Sequence, residues 1–166
     1  MEIKGFKAFA VDGTNVNGIT MEAGKKYHID GAIKYGTQGN GYHFALHLED
    51  TIRFAADTLP GDCLIAEVIG SGEIVEGWDD YYGYYDLYSC SDLEVIRYLS
   101  REEILDYATK LSDIKMKRFI ECFKLNDDEI ELFSGRGHIV DLAIDYYQRD
   151  MKDAYDPENV LKKLLK

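Results

Sequence analysis

The chain changes periodicity once, near Ser100, and that change limits what it can fold into. Before it, apolar residues alternate in short runs between turn residues, the spacing of half-buried strands. After it, they recur every three or four positions, the spacing of helices. In the first part, residues 5–10 (GFKAFA) alternate and are followed by the turn-rich VDGTNVNG. GKKYHIDG puts Tyr27 and Ile29 on one face of a further short strand. Three glycines within residues 36–41 (GTQGNG) require a loop, and YHFA at 42–45 reads as an apolar strand. Leu48, Ile52, Ala55 and Ala56 have helical spacing, with Glu49 and Asp50 in the first turn, where the helix dipole favours anions. Leu59-Pro60-Gly61 ends that helix. DCLIAEVIGSGEIVEG then gives a buried strand, a bend at Gly70-Ser71-Gly72 and a second strand, and residues 92–99 give one more.

From Ser100 the signals are helical. Ser100 and Glu103 form a capping box ahead of Ile104, Leu105, Ala108 and Leu111. A second helix covers residues 114–123. A third starts from Asn126 and Glu129, another such cap, and stops at Gly135-Arg136-Gly137. A fourth covers residues 138–152, with Ile139, Leu142, Ala143 and Tyr146 on one stripe. Asp156-Pro157 opens a last short helix, proline being tolerated in the first turn. The elements predict an α+β fold. A small, mainly antiparallel sheet with one helix occupies residues 1–99, and a C-terminal cluster of four or five helices, residues 100–166, packs on it or forms a closely docked subdomain. Too few helices intervene between strands for parallel crossovers.

Size and charge narrow the function classes. A chain of 166 residues with 46% hydrophobic content can bury a core without a metal or disulfides. Residues 1–20 have no continuous apolar region, so no signal peptide is expected, and no run approaches the ~20 apolar residues of a membrane span. Cys63, Cys90 and Cys122, an odd number without CxxC spacing, read as reduced buried thiols, and the expected location is cytoplasmic. The net charge is −12, and residues 1–99 hold 16 acidic against 7 basic side chains. Nucleic-acid binding draws on Lys and Arg neutralising phosphates, so direct nucleic-acid contact is not expected, and neither is attraction to an anionic membrane. Basic partners are allowed. The oligomeric state is left open.

The charge is concentrated. From Phe54 to Ile96 there are 43 residues without a single Lys or Arg, ten acidic residues and the only Trp. The densest part, Trp78, Asp79, Asp80, Tyr81, Tyr82, Tyr84, Tyr85, Asp86 and Tyr88, reads as a partner-binding patch, because Tyr and Trp bring large contact area at low entropic cost. Its plainer reading is a strand whose alternate tyrosines cover the core. Other motifs carry less. His43 and His47 have the spacing of a shared metal on a helix, but His43 falls in a strand, so no metal is expected. The glycine loop lacks the Lys-Ser/Thr ending that grips phosphate, and Ser71 sits in GSG rather than GxSxG. Glu67, Glu73, Glu76, Asp79 and Asp80 are carboxylates from which an acid–base pair would be drawn.

Four short blocks occur in the order found in an uncharacterised family common in phages and prophages. They are Gly5-Phe6-Lys7-Ala8-Phe9, Gly24-Lys25-Lys26-Tyr27, Gly41-Tyr42-His43 and Gly72-Glu73-Ile74. Over roughly residues 4–77 the chain resembles that family, which implies a phage-associated setting without specifying an activity. A more distant likeness joins residues 41–45 (GYHFA), a helix through Arg53-Phe54-Ala55 and the next strand to the middle of ADP-ribosyltransferase folds. That resemblance implies an NAD site in which Tyr42, His43 and Glu73 take part. The chain departs from the pattern: FKAF lacks the family's first-strand His or Arg, His43 stands where a Tyr is expected, and Glu67, Glu73 and Glu94 compete for the acceptor-activating role.

The resulting expectation is a non-enzymatic phage or prophage accessory protein without a cofactor. It binds a basic protein partner through an acidic, tyrosine-rich surface, with an anti-defence role in which that surface imitates nucleic acid. The alternative is an ADP-ribosyltransferase-like enzyme or an NAD-binding relic.

Overall fold

A computed structural model describes residues 1–36, 39–56, 59–79 and 84–151. The chain forms two compact units, one of Met1–Asp57 with Asp62–Ile104 and one of Thr58–Gly61 with Leu105–Lys166. The fold is α+β, with an antiparallel sheet followed by a C-terminal helical cluster. The helix expected from Asp156 lies outside the described residues.

The first unit holds β1 (Ile3–Phe9), β2 (Lys25–His28), β3 (Tyr42–Ala45), β4 (Leu64–Asp79) and β5 (Tyr84–Tyr98). The order is β2-β5-β3-β1-β4, and an additional β4–β5 pairing joins β1, β4, β5 and β3 into a closed circuit. One edge of β5 follows β4 from Tyr84 to Tyr98, while its other edge takes β3 at residues 87–90 and β2 at residues 92–95. All the strands send side chains to one apolar cluster. Phe9, Phe44, Ala66, Val68, Cys90, Leu93 and Val95 are buried there with Met21, and Tyr27, Tyr42 and Tyr88 pack against it. Burying each large apolar side chain contributes about 1.5–3 kcal/mol. Phe44 stacks on Tyr88, with ring centroids 5.5 Å apart. It also lies so close to Gly70 that a Cβ there would sit 2.5 Å from its Cζ, so this position requires glycine.

Three local expectations in this unit are corrected, and the first is that the strand read at residues 92–99 is the end of the longer β5 (Tyr84–Tyr98). Residues 62–77 do not form two strands around a bend. β4 runs continuously through Gly70-Ser71-Gly72, with its register to β5 shifted between Ser71 and Ile74. Gly72 takes φ +75, the left-handed region that glycine enters without penalty, and the Ser91 hydroxyl accepts from the Glu73 amide at 3.0 Å. The feature is a β-bulge, which bends a strand without ending it. Residues 48–56 are likewise not an α-helix but two 3-10 turns, Leu48–Asp50 and Ile52–Phe54. The Thr51 amide (3.1 Å) and the Thr51 hydroxyl (2.7 Å) both donate to the Leu48 carbonyl, fixing the tighter i to i+3 bonding. Leu48 and Ile52 still reach the core, so the apolar spacing was satisfied by a different helix type.

The capping box at α1 (Arg101–Thr109) is present. The Ser100 amide donates to Glu103 at 2.8 Å, and the Glu103 amide donates to the Ser100 hydroxyl at 3.1 Å. Arg97 bonds both Glu67 (2.9 Å) and Glu103 (2.7 Å). The Ser100 amide, then Arg97, hold the Glu103 carboxyl below its ordinary range.

The second unit contains α2 (Asp113–Cys122), α3 (Asp127–Glu131), α4 (His138–Tyr146) and a π-helical turn, Tyr147–Met151. Asn126 and Glu129 cap α3 reciprocally. Phe119 stacks on Phe123 and touches Phe133, at centroid distances of 5.0 and 5.8 Å. The buried stripe of α4 is Val140, Ala143 and Ile144, continuing to Tyr147, so the expected stripe is corrected by one helical step: Ile139, Leu142 and Tyr146 face outward. The phase follows Tyr147, whose buried hydroxyl accepts from the Leu125 amide and donates to the Leu125 carbonyl, both at 2.8 Å. Among the described residues no helix is long and apolar enough to cross a membrane.

Candidate functional site

The acidic, aromatic stretch falls on the far end of the β4–β5 ribbon. Trp78 is 61% exposed there, although large aromatics are normally well buried. Glu73 and Glu76 are exposed on the same strand. Beyond Gly70, β4 pairs with β5 and has no described strand on its outer edge. The backbones of Asp79 and Tyr84 pair across the ribbon, and Tyr85 follows within β5. Asp80, Tyr81 and Tyr82 lie outside the described residues. Asp86 adopts φ +56, which Asp tolerates better than most residues, and its carboxylate accepts from His47 Nε2 at 3.0 Å while its side chain stays 45% exposed. Tyr88 belongs to the half-buried layer against Phe44, and burial raises its phenol above the ordinary value. The structure therefore puts Trp78 and Asp86 at the surface and Tyr88 against the core.

The residues of the NAD alternative are not gathered. Tyr42 and His43 are consecutive on β3, so their side chains leave on opposite faces. Tyr42 packs on the main apolar cluster and donates to the His28 carbonyl at 3.2 Å. His43 stands against the Tyr35 ring at 4.9 Å, and its Nε2 accepts from the Gly36 amide at 3.1 Å. Desolvation, then Lys7, lower its pKa, so it is a neutral acceptor. Glu73 is exposed beside the bulge. Glu67 is held by Arg97, which fixes it as an ion-pair partner. Among the described residues no group of three or more His, Cys, Asp or Glu side chains is placed to hold a metal ion, and all three cysteines are buried.

Two arrangements were missed from the sequence. His28 is held between Asp92 (2.8 Å) and Asp30 (3.1 Å), and the Ser91 hydroxyl donates to the other Asp92 oxygen at 2.6 Å. The bonds to Asp92, then Asp30, raise the His28 pKa. The second is Lys7. Its amine donates to the His43 carbonyl at 2.6 Å and lies 5.7 Å from the centre of the Phe9 ring. Burial lowers its pKa to about 8, an effect partly offset by Cys90. The signal was available: Lys7 shares strand parity with Gly5 and Phe9, both buried, so the alternation directs it toward the core.

Comparison with known protein families, curated proteins and solved structures finds no match for this chain.

Proposed function

We propose that the protein is a non-enzymatic binding module that engages a basic protein partner through the far end of the β4–β5 ribbon. The observation that carries this reading is Trp78, 61% exposed on a strand that also exposes Glu73 and Glu76. An exposed indole among carboxylates offers an apolar anchor with a charged surround, the arrangement in which a few aromatic residues supply affinity and charge sets the encounter rate. Past Gly70 the outer edge of β4, which has no strand beside it among the described residues, supplies backbone donors and acceptors for a partner segment to add as a strand. The phage and prophage resemblance of residues 4–77 supports an accessory role, and the acidic surface supports an anti-defence one, in which a basic effector meets carboxylates in place of phosphates.

The test is affinity purification of the full chain from its native host, followed by kinetics on the recovered partner. Association is expected to slow as salt rises, because the Debye length falls from ~30 Å at 0.01 M to ~10 Å at 0.1 M. Replacing Asp79, Asp80 and Asp86 together by Asn is expected to lower the on-rate, and Trp78→Ala to raise the off-rate by about thirtyfold, a loss of roughly 2 kcal/mol of binding free energy. Unchanged kinetics in both variants would overturn the assignment. A thermal shift with NAD would favour the transferase likeness instead.

A further inference from the structure

Carboxylates on the two long strands are not treated alike. Glu67 pairs with Arg97, Glu94 with Lys26, Asp92 with His28 and Asp86 with His47. Glu73 and Glu76 have no such partner among the described residues, although both are exposed on the arm of β4 past the bulge. The sequence offers no Lys or Arg between Phe54 and Ile96 to supply one locally. Glu76 and Trp78 are two residues apart on an extended strand, so their side chains leave on one face, about 6.5–7 Å apart. Ile74 begins the same face and packs against the main apolar cluster. Beside it, past Gly70, the edge of β4 has no neighbouring strand among the described residues. An unneutralised carboxylate, an exposed indole and an open backbone edge therefore occur together.

From this placement we infer that the arm of β4 recognises an extended segment through an arginine, whose guanidinium stacks on the Trp78 indole while it bonds the Glu76 carboxylate. The inference rests on the basic-partner reading above and adds the residue type and the backbone form of what is bound. A segment added along β4 places one side chain directly opposite Glu76. That position is diagonal to Trp78, within reach of a long side chain. The guanidinium suits both neighbours, being planar, weakly hydrated and able to meet a carboxylate with two parallel hydrogen bonds. A lysine ammonium meets the same carboxylate as a point charge, holds its water more tightly and has no flat surface to lay on the indole. The site therefore discriminates between two side chains of equal charge.

Trp78 is the only Trp of the chain, so tryptophan emission from the full-length protein reports this site without a label. The probes are the end-capped peptides TRTRTRT and TKTKTKT, and RRRTTTT, which has the charge of the first without its alternation. Each is titrated at low ionic strength. The alternating arginine peptide is expected to change the emission and to bind about fivefold tighter than either of the others. In Glu76→Gln, a change at an exposed position, its advantage over the lysine peptide is expected to fall to about twofold or less. Equal binding of the arginine and lysine peptides by the wild-type protein, or an advantage undiminished in Glu76→Gln, would overturn the arginine site and leave the basic-partner reading standing. Equal binding of RRRTTTT would overturn the strand form of the bound segment. Emission indifferent to all of the peptides would remove the basic-partner reading and the arginine site with it.

Discussion

Lys7 and Asp86 lie on strands of one sheet and carry opposite charges, and the protein treats them in opposite ways. The Lys7 amine is drawn toward the apolar cluster and given a carbonyl and a ring, whereas Asp86 stays at the rim with His47 against it and nearly half of its side chain exposed. Desolvation governs the first site; pairing in high dielectric governs the second. The difference teaches where to look for function in this fold. A charge kept at the rim adds little to stability and is available to a partner, whereas a charge held at the core is retained against a stability cost.

The contrast can be broken or sharpened by substitution. Phe44→Ala removes the ring that fills the space over Gly70 and stacks on Tyr88, and is expected to lose about 3–5 kcal/mol in denaturant unfolding. A loss below about 1 kcal/mol would mean that the cluster is loosely packed and that Lys7 is not confined by it. Lys7→Met keeps the length and removes the charge. With a folded pKa of about 8 against 10.5 unfolded, the charged form costs the fold on the order of 3 kcal/mol at neutral pH, part of which the lost hydrogen bond returns. The variant is expected to gain about 2 kcal/mol at pH 7. The sign follows from proton counting: between pH 8 and 10.5 the unfolded state binds more protons at this site, so wild-type stability rises relative to Met across that window and the gain shrinks. A Met variant less stable than wild type at pH 7 would show the amine to be stabilising and end the comparison.

At the rim the effects shrink. Asp86→Asn is expected to change unfolding free energy within about 0.5 kcal/mol, because the pair with His47 is solvated. A loss of several kcal/mol would place that pair in the same class as Lys7. The smallest effect belongs to His28, whose pKa is raised by Asp92 and Asp30. Its contribution is fully present below the unfolded value near 6.5 and is lost as pH climbs through the folded value, so His28→Asn is expected to flatten a slight decline in melting temperature above pH 6.5. An unaltered profile would show that the two carboxylates do not act on the ring.

What could be read from the sequence divides along the same physical line. Strands bounded by turn residues and helices opened by capping boxes were legible, because both signals are local: Tyr42–Ala45, Ser100 with Glu103 and Asn126 with Glu129 all act within a few residues. Non-local facts were not legible. Whether Gly-Ser-Gly ends a strand or bulges within it depends on Ser91 and Asp92 across the ribbon, and the 3-10 bonding at Leu48 depends on which carbonyl Thr51 reaches. Composition marks Trp78 and Asp86 as candidates, but their exposure depends on the non-local pairing of β4 with β5. Lys7 is hard to single out from sequence because a charged residue is by default assigned to water, even where the alternation of Gly5 and Phe9 points the other way.

The double-sided pairing of β5 has a dynamic consequence. Between Leu87 and Val95 this strand meets β4 along one edge and β3 or β2 along the other, so local fraying at a single edge leaves its backbone still bonded on the opposite side. Amide protons in that stretch require the opening of the whole unit before they reach solvent, while those of β4 past the bulge are released by separation of two strands alone. The sheet is thus expected to exchange slowly along this spine and more quickly in the arm beside it, the part that carries Trp78.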